Sequence, residues 1–327
     1  HGDSVTLAEM TKNIPDGIDL LLCSSMMNLP AFIALTNPRF AHTAKIMYMH
    51  DNQFTRPIPS GEQRDMTYCY INYLSMLVAN KLIFSSHFHL EDLLQALPGF
   101  LNNFPGDKHY LTVDEIRAKS VVLYPGLDLS FFNNHSDTRK ENKRPVIVWN
   151  QQWQFDRNPA MFFRVLNRLN DIDLAFDLIL AGDSKHDKPE EFTKAWQRFG
   201  NQIRHFGYVD DKESYSKLLH CGDIVVSTAS YEFFCVSIME AIYCGCHPLV
   251  PSTLHYPELI PESLHNPLLH SKILYEDEDQ LFYLLKNLLT NQTKPLPKNR
   301  LQSINRHLDW KVRSRDFDAL FEEVVNI

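Results

Sequence analysis

Residues Ser227–Pro251 read STASYEFFCVSIMEAIYCGCHPLVP. A short apolar run, Ile224–Ser227, enters this stretch and reads as a strand ending at Ser227. The loop after it carries Glu232. A helical pattern begins near Val236 and carries Glu240, and His247–Val250 is again strand-like. Strand, loop, helix and strand in this order make one unit of a parallel sheet covered by helices. The N–H groups at a helix start near Val236 form an anion site suited to a diphosphate. Glu232 and Glu240, eight residues apart, flank that site and can accept from ligand hydroxyls.

The same rhythm extends in both directions. Upstream, Leu20–Cys23, Ile46–Met49, Lys81–Ser85 and Val121–Tyr124 read as strands, and Met66–Val78 reads as a helix. A polar stretch, Asn133–Arg144 (NNHSDTRKENKR), then interrupts the alternation and is the best linker candidate. Val146–Trp149, Leu178–Ala181, Ile203–Phe206 and Ile273–Tyr275 complete a second set of strands, with Pro159–Leu169 and Tyr215–Leu219 as helices. The expectation is an α/β protein of two Rossmann-like lobes with parallel sheets, residues 1–140 and 141–327. The first lobe is short by one strand-helix unit before His1, and the chain has no initiator Met, as in a processed or truncated form. No G-x-G-x-x-G follows a strand, which argues against a dinucleotide-dependent dehydrogenase. Ligands of such sheets bind beyond the carboxyl ends of the strands, so those segments carry the candidate residues.

Composition narrows the class. The 327 residues are 44% hydrophobic and 22% charged, as in soluble globular proteins. No apolar run reaches the roughly 18 residues of a membrane span, and the opening HGDSVTLAEM lacks a secretory pattern. Six scattered cysteines read as free thiols in a reducing, cytoplasmic setting, which makes the sequons at Asn134 and Asn291 incidental. No acidic cluster of DxD type is poised for a divalent cation, so neither metal nor cofactor is expected. The net charge of −8 excludes a broadly cationic surface. One segment departs from it: Lys294, Lys298, Arg300, Arg306, Lys311, Arg313 and Arg315 face a single acid, Asp309, over 22 residues. That segment is either a solvated helix face or a phosphate-contacting surface for RNA.

The E-x7-E at Glu232 and Glu240, followed by AIYCGCHPLVP, resembles the donor motif of retaining GT-B glycosyltransferases, whose two lobes face a central cleft. The likeness narrows through YMHDNQFTRPIP (48–59), EQRDMTYCYIN (62–72), QWQFDRNPAMFF (152–163), STASYEFF (227–234), YCGCHPLVP (243–251) and HYPELIP (255–261). From about Ser24 to about Glu276 the chain is similar to the tRNA-queuosine mannosyltransferase family and its bacterial relatives. The resemblance implies transfer of mannose from GDP-mannose to a cyclopentenediol hydroxyl of queuosine in a tRNA anticodon. It implies that Glu232 faces the sugar hydroxyls and that Glu240 holds the ribose. His50, which closes a strand before Asp51-Asn52-Gln53, is placed toward the donor sugar. A neutral imidazole there can bond a hydroxyl. Arg64 and Asp65 are candidates for meeting the acceptor.

Arg157 follows the first strand of the second lobe, before Asn158 as N-cap and Pro159 as first helical residue. A cation there neutralises a diphosphate and stabilises its departure. Gly182 allows close backbone approach, and Gly207-Tyr208-Val209 is placed as the loop that holds the base. Phe233, Phe234, Cys235 and Val236 complete the loop into the helix, and Gln152 lies at the diphosphate side.

Two departures from the family pattern stand out. Gln152 occupies the place of an expected arginine, so one of two diphosphate cations is missing. Cys235 occupies the place of a glycine, where a Cβ can crowd the sugar phosphate, and Tyr231 stands for an expected histidine. Loss of one charge-assisted contact costs about 1.5–3 kcal/mol. Two other readings therefore stay open: a sugar-nucleotide glycosyltransferase with a non-RNA acceptor, and a weakened or inactive homologue that binds without transferring.

Overall fold

The computed structural model describes residues 3–59, 61–134, 142–183, 190–259 and 273–326. By its internal contacts the chain divides into two compact units, His1–Pro125 with Arg313–Ile327, and Gly126–Val312. Of the expected linker, residues 135–141 lie outside the described residues.

The first unit runs α1 (Ser4–Thr11), β1 (Leu20–Ser24), α2 (Leu29–Leu35), β2 (Ala44–Tyr48), α3 (Met66–Val78), β3 (Lys81–Phe84), α4 (His87–Leu101), α5 (Leu111–Ala118) and β4 (Ser120–Val122). Its strands form a parallel sheet in the order β1-β2-β3-β4. Alternation along the strands sends Met47, Leu82 and Phe84 into one core with Leu93, Leu97 and Met76 from the helices. It sends Ile46 and Ile83 to the opposite face, against Leu320 and Val324. The final helix is thereby recruited to the first sheet, a non-local pairing that no local sequence pattern announces. The central strands β2 and β3 are covered on both faces, as parallel sheets require.

The second unit opens with α6 (Leu129–Asn133), then β5 (Val146–Trp149), a 3₁₀ turn (Phe155–Arg157), α7 (Pro159–Asp171), β6 (Asp177–Ala181), α8 (Glu190–Phe199) and β7 (Ile203–Gly207). It continues with α9 (Lys212–His220), β8 (Ile224–Val226), α10 (Val236–Cys244), β9 (His247–Pro251), α11 (Tyr256–Leu259), β10 (Leu274–Tyr275), α12 (Glu278–Leu289) and α13 (Lys298–Asn305). The last helix, α14, spans Trp310–Val325. Backbone bonds from Leu127 N–H to Leu308 C=O (2.7 Å) and from Trp310 N–H to Leu127 C=O (2.8 Å) tie residues after Pro125 into this unit. The division thus falls ahead of the polar stretch.

The second sheet is parallel, in the order β10-β9-β8-β5-β6-β7. The chain moves from β5 outward to β7, then returns across to β8 on the other side of β5. That reversal opens a crevice at the carboxyl ends of β5 and β8, where open α/β sheets bind ligands. All four residues of β5 are buried, and Trp149, Phe162, Phe163 and Phe192 pack in the core beneath the crevice. The ten expected strands are all present, each within two residues of its reading.

Candidate active site

The crevice is a cavity of about 950 Å³ formed wholly within the second unit. The segment after β5 forms one wall. Asn158 turns the chain at φ 49° and ψ 54°, and its side chain caps α7 by accepting from Met161 N–H at 3.3 Å. Pro159 supplies the first helical residue, so the 3₁₀ turn and α7 are held at a fixed angle. The segment after β8 is stitched onto that turn. Thr228 Oγ1 donates to Arg157 C=O at 2.9 Å, and Ser230 N–H donates to Asp156 C=O at 2.9 Å.

These bonds bring Arg157 to Glu232. Arg157 Nη2 lies 3.0 Å from Glu232 Oε2, and both side chains are about 85% buried (14% and 15% exposed). Arg157 Nη1 donates to Tyr231 C=O and lies 3.6 Å from Asp156. Burial opposes the Arg157 charge, but Glu232 and Asp156 outweigh it and hold the guanidinium protonated. Burial likewise pushes Glu232 above the ordinary carboxylate range, and Arg157 with the N–H groups of Phe233 and Phe234 opposes that rise.

His255 braces the same loop from behind. Its Nε2 accepts from Cys235 N–H at 3.1 Å, so the ring proton is on Nδ1, which faces Glu232 C=O at 3.3 Å. Burial lowers its pKa to about 3 and keeps it neutral.

Cys235 stands at the N-cap of α10 with φ −101°, a conformation open to any residue. The backbone conformation therefore does not require glycine there. The buried thiol, pushed up to about 11 by desolvation, sits 3.5 Å from Ser237 Oγ. The first residues of α10, Val236 and Ser237, border the cavity. One turn further, burial raises Glu240 to about 7, against a hydrogen bond from Tyr215 and the charge of Lys212.

The cavity gathers Gln152, Arg157, Gly182, Tyr208, Val209, Glu232, Phe234, Cys235, Val236 and Glu240. Gly207 and Phe233 do not line it. Gly207 takes φ 117°, and its C=O accepts from Gly182 N–H at 3.0 Å, while Phe233 is buried with its ring 4.8 Å from Tyr231. The close approach that Gly182 permits is to the chain itself. A Cβ there would lie 2.2 Å from Gln151 C=O and 2.7 Å from Trp153 Nε1.

The site also contains residues that the sequence reading passed over: Asn150, Lys212 and Tyr215 on the cavity wall, and His255 behind it. Asn150 carried a signal, being the first residue after a strand. Tyr215 and His255 carried no local signal, because their partners lie 20 or more residues away.

His50 belongs to the first unit. Its N–H donates to Ser25 Oγ at 3.2 Å, its ring lies 4.8 Å from that of Tyr48, and partial burial lowers its pKa. Arg64 and Asp65 have local structural tasks. Arg64 donates to Gln53 C=O (2.6 Å) and Arg56 C=O (2.9 Å), clamping the loop after His50, and Asp65 caps α3 through Thr67 N–H (2.8 Å).

Two parallel sheets of this topology, with a cavity at the switch point of the second, are those of the GT-B fold. Solved structures agree on the fold. Anabaena HepE in complex with UDP aligns with a TM-score of 0.68 at 15% identity, over 98% of this chain and 82% of that one. Sucrose-phosphate synthase from Thermosynechococcus elongatus aligns with a TM-score of 0.72 at 13% identity, over 98% and 77%. Residues 130–298 match the family model for group 1 glycosyl transferases. Residues 1–127 match the model for the tRNA-queuosine alpha-mannosyltransferase N-terminal region. The tRNA-queuosine alpha-mannosyltransferase of Drosophila melanogaster is 34% identical over 255 residues, covering 76% of this chain and 67% of that protein. The chain belongs to the tRNA-queuosine alpha-mannosyltransferase family.

Proposed function

We propose that this chain transfers mannose from GDP-mannose, with retention of configuration, to a cyclopentenediol hydroxyl of queuosine in tRNA. The observation that carries the proposal is the placement of Arg157 and Glu232 beside the first turn of α10 in one cavity. The diphosphate lies against the N–H groups of Val236 and Ser237, where the helix start favours negative charge. Arg157 adds a full cation that stabilises the departing diphosphate. Glu232 accepts from the sugar hydroxyls and Glu240 from the ribose. Tyr208 and Val209, at the end of β7, take the base. Gln152 supplies no charge at the cavity edge, and Lys212 borders the same cavity with its ammonium paired to Asp128 at 2.8 Å.

His50, whose pKa partial burial lowers, is the candidate in the first unit for bonding a sugar hydroxyl. The acceptor oxygen bonds the anomeric carbon on the face from which the diphosphate leaves, and the sugar–phosphate C–O bond breaks. The hydroxyl proton passes to the departing diphosphate, so no separate acid and base carboxylates need to flank the bond. The basic residues of the segment Lys294–Arg315, apart from Arg313, which is paired with Asp316, contact the tRNA backbone. All six cysteines are free, which fits a reducing, cytoplasmic setting. Among the described residues, no helix is long and apolar enough to cross a membrane.

The test incubates the protein with queuosine-containing tRNA and labelled GDP-mannose, beside Glu232→Gln. Label in tRNA with wild type and not with the variant is expected. Donor binding without transfer to tRNA would overturn the acceptor assignment.

A further inference from the structure

Asn150 is the first residue after β5, where the strand order of the second sheet reverses. It is 5% exposed and borders the cavity. Both hydrogens of its amide are committed. One goes to Ser237 C=O at 2.7 Å and the other to the Tyr215 hydroxyl oxygen at 3.0 Å. Because Ser237 offers a carbonyl, only the nitrogen of Asn150 can face it, which fixes the orientation of the amide. Tyr215 accepts from Asn150, so its own hydrogen is available to Glu240, whose charge acts on it.

The result is a one-way chain from Asn150 through Tyr215 to Glu240, anchored on the first turn of α10. Its other end is unpaired. Asn150 Oδ1 is buried and has no hydrogen-bond partner among the described residues. Buried amide oxygens are nearly always paired, so an orphan on the wall of a ligand cavity needs an explanation.

We propose that Asn150, Tyr215 and Glu240 act as one acceptor unit for the two vicinal hydroxyls of the donor ribose. Glu240 takes one hydroxyl, Asn150 Oδ1 takes its neighbour, and Tyr215 fixes the spacing between the two acceptors. A diol presents two hydrogens, and a carboxylate beside a neutral amide meets both without burying a second charge. Asn150 touches the ligand, whereas Tyr215 is a positioning residue. The proposal rests on the reading of this cavity as the nucleotide site.

Calorimetric titration of the full chain with GDP, 2′-deoxy-GDP and 3′-deoxy-GDP tests it. Wild type should bind both deoxy analogues about 10-fold or more weaker than GDP. Asn150→Ala should weaken GDP about 10–100-fold and bind GDP and one of the analogues alike, because variant and analogue lack the same bond. Tyr215→Phe should raise the donor KM with kcat largely kept, and should move the pH midpoint of GDP binding upward. Full penalties for both analogues in Asn150→Ala would overturn the proposal. So would equal binding of all three ligands by wild type, a measurement that stands even where the variant does not fold. Failure of wild type to bind GDP, UDP or ADP is a separate outcome that removes the nucleotide reading and this proposal with it.

Discussion

The guanidinium of Arg157 and the carboxylate of Glu232 are 3.0 Å apart in a setting where each is only about 15% exposed (14% and 15%). Each is the other's principal counter-charge. Truncating one partner of a buried pair leaves the other charge uncompensated, at about 3–5 kcal/mol, more than the net worth of the pair. Arg157→Ala is therefore expected to lower folding stability by about 3 kcal/mol, and Arg157→Ala with Glu232→Ala by less than the sum of the single changes. Urea unfolding of the four proteins measures the coupling, and strict additivity would contradict it. Transfer should fall about 100-fold or more in Arg157→Ala, because the developing charge on the diphosphate loses its buried cation.

Glu240 has the opposite character, a carboxyl that burial holds at about 7 against an ordinary 4.5. The folded form binds more protons than the unfolded chain between these values, so this group's stabilising contribution is present below about pH 4.5 and is lost as pH rises to 7. Above pH 7 the ionised carboxylate carries a penalty on the order of 2–3 kcal/mol. Glu240→Gln, which keeps an acceptor for Tyr215, should raise Tm at pH 8 and lose that advantage near pH 4.5. It should at the same time weaken GDP binding, since a neutral amide accepts from a hydroxyl less strongly than a carboxylate. Thermal melts and titrations at both pH values check the pair of effects. An unchanged or lower Tm at pH 8 would show that Glu240 is not held under strain.

Each unit also holds a buried neutral histidine, His89 in the first and His255 in the second, and burial lowers both to about 3. The unfolded chain protonates its histidines near 6.5, so stability is full above that value and declines as pH falls from 6.5 toward 3. At pH 5 the expected loss is about 2 kcal/mol per histidine. Glu240 works against this in the same window, so the Glu240→Gln background shows the histidine effect most clearly. Melts of that variant at pH 7.5 and pH 5.0 should differ by several degrees. Equal melting temperatures would mean that neither ring is locked neutral.

The positions of the strands and the start of α10 were legible because their signals are local. Short apolar runs mark the strands, and Val236 begins its helix where the pattern changes period. Asn158 and Pro159 likewise announced the cap of α7. What the sequence did not disclose depends on partners far along the chain. Ile46 and Ile83 gave no sign that Leu320 and Val324 would cover them. The reason for Gly182 was legible only in part: its lack of a Cβ was read as room for a ligand, whereas Gln151 and Trp153 occupy that space. Arg64 was read as a candidate for meeting the acceptor, and its structural task was not legible. An arginine beside a polar loop reads as a ligand contact until its partners prove to be the carbonyls of Gln53 and Arg56. In the site itself, Glu232 and Arg157 follow from strand-end positions, while Tyr215 and His255 emerge only from packing.

A protein with a net charge of −8 must concentrate its cations to hold an RNA, and the segment from Lys294 to Arg315 is where this chain does so. Its residues are not equivalent. Lys311 and Arg315 lie one turn apart on α14, on the same side, and both are exposed. Arg313 is half-buried and paired with Asp316 at 3.0 Å. A phosphate contact releases counterions, and each contributes about 0.7–0.9 to the slope of log K against log salt. Lys311→Gln with Arg315→Gln should therefore weaken tRNA binding and reduce that slope by about 1.5. Arg313→Gln should leave the slope nearly unchanged, because its charge is already met within the helix. Filter binding over a range of salt concentrations, with donor affinity as a control, separates the two variants. Equal slopes in wild type and the double variant would move the RNA surface elsewhere on the chain.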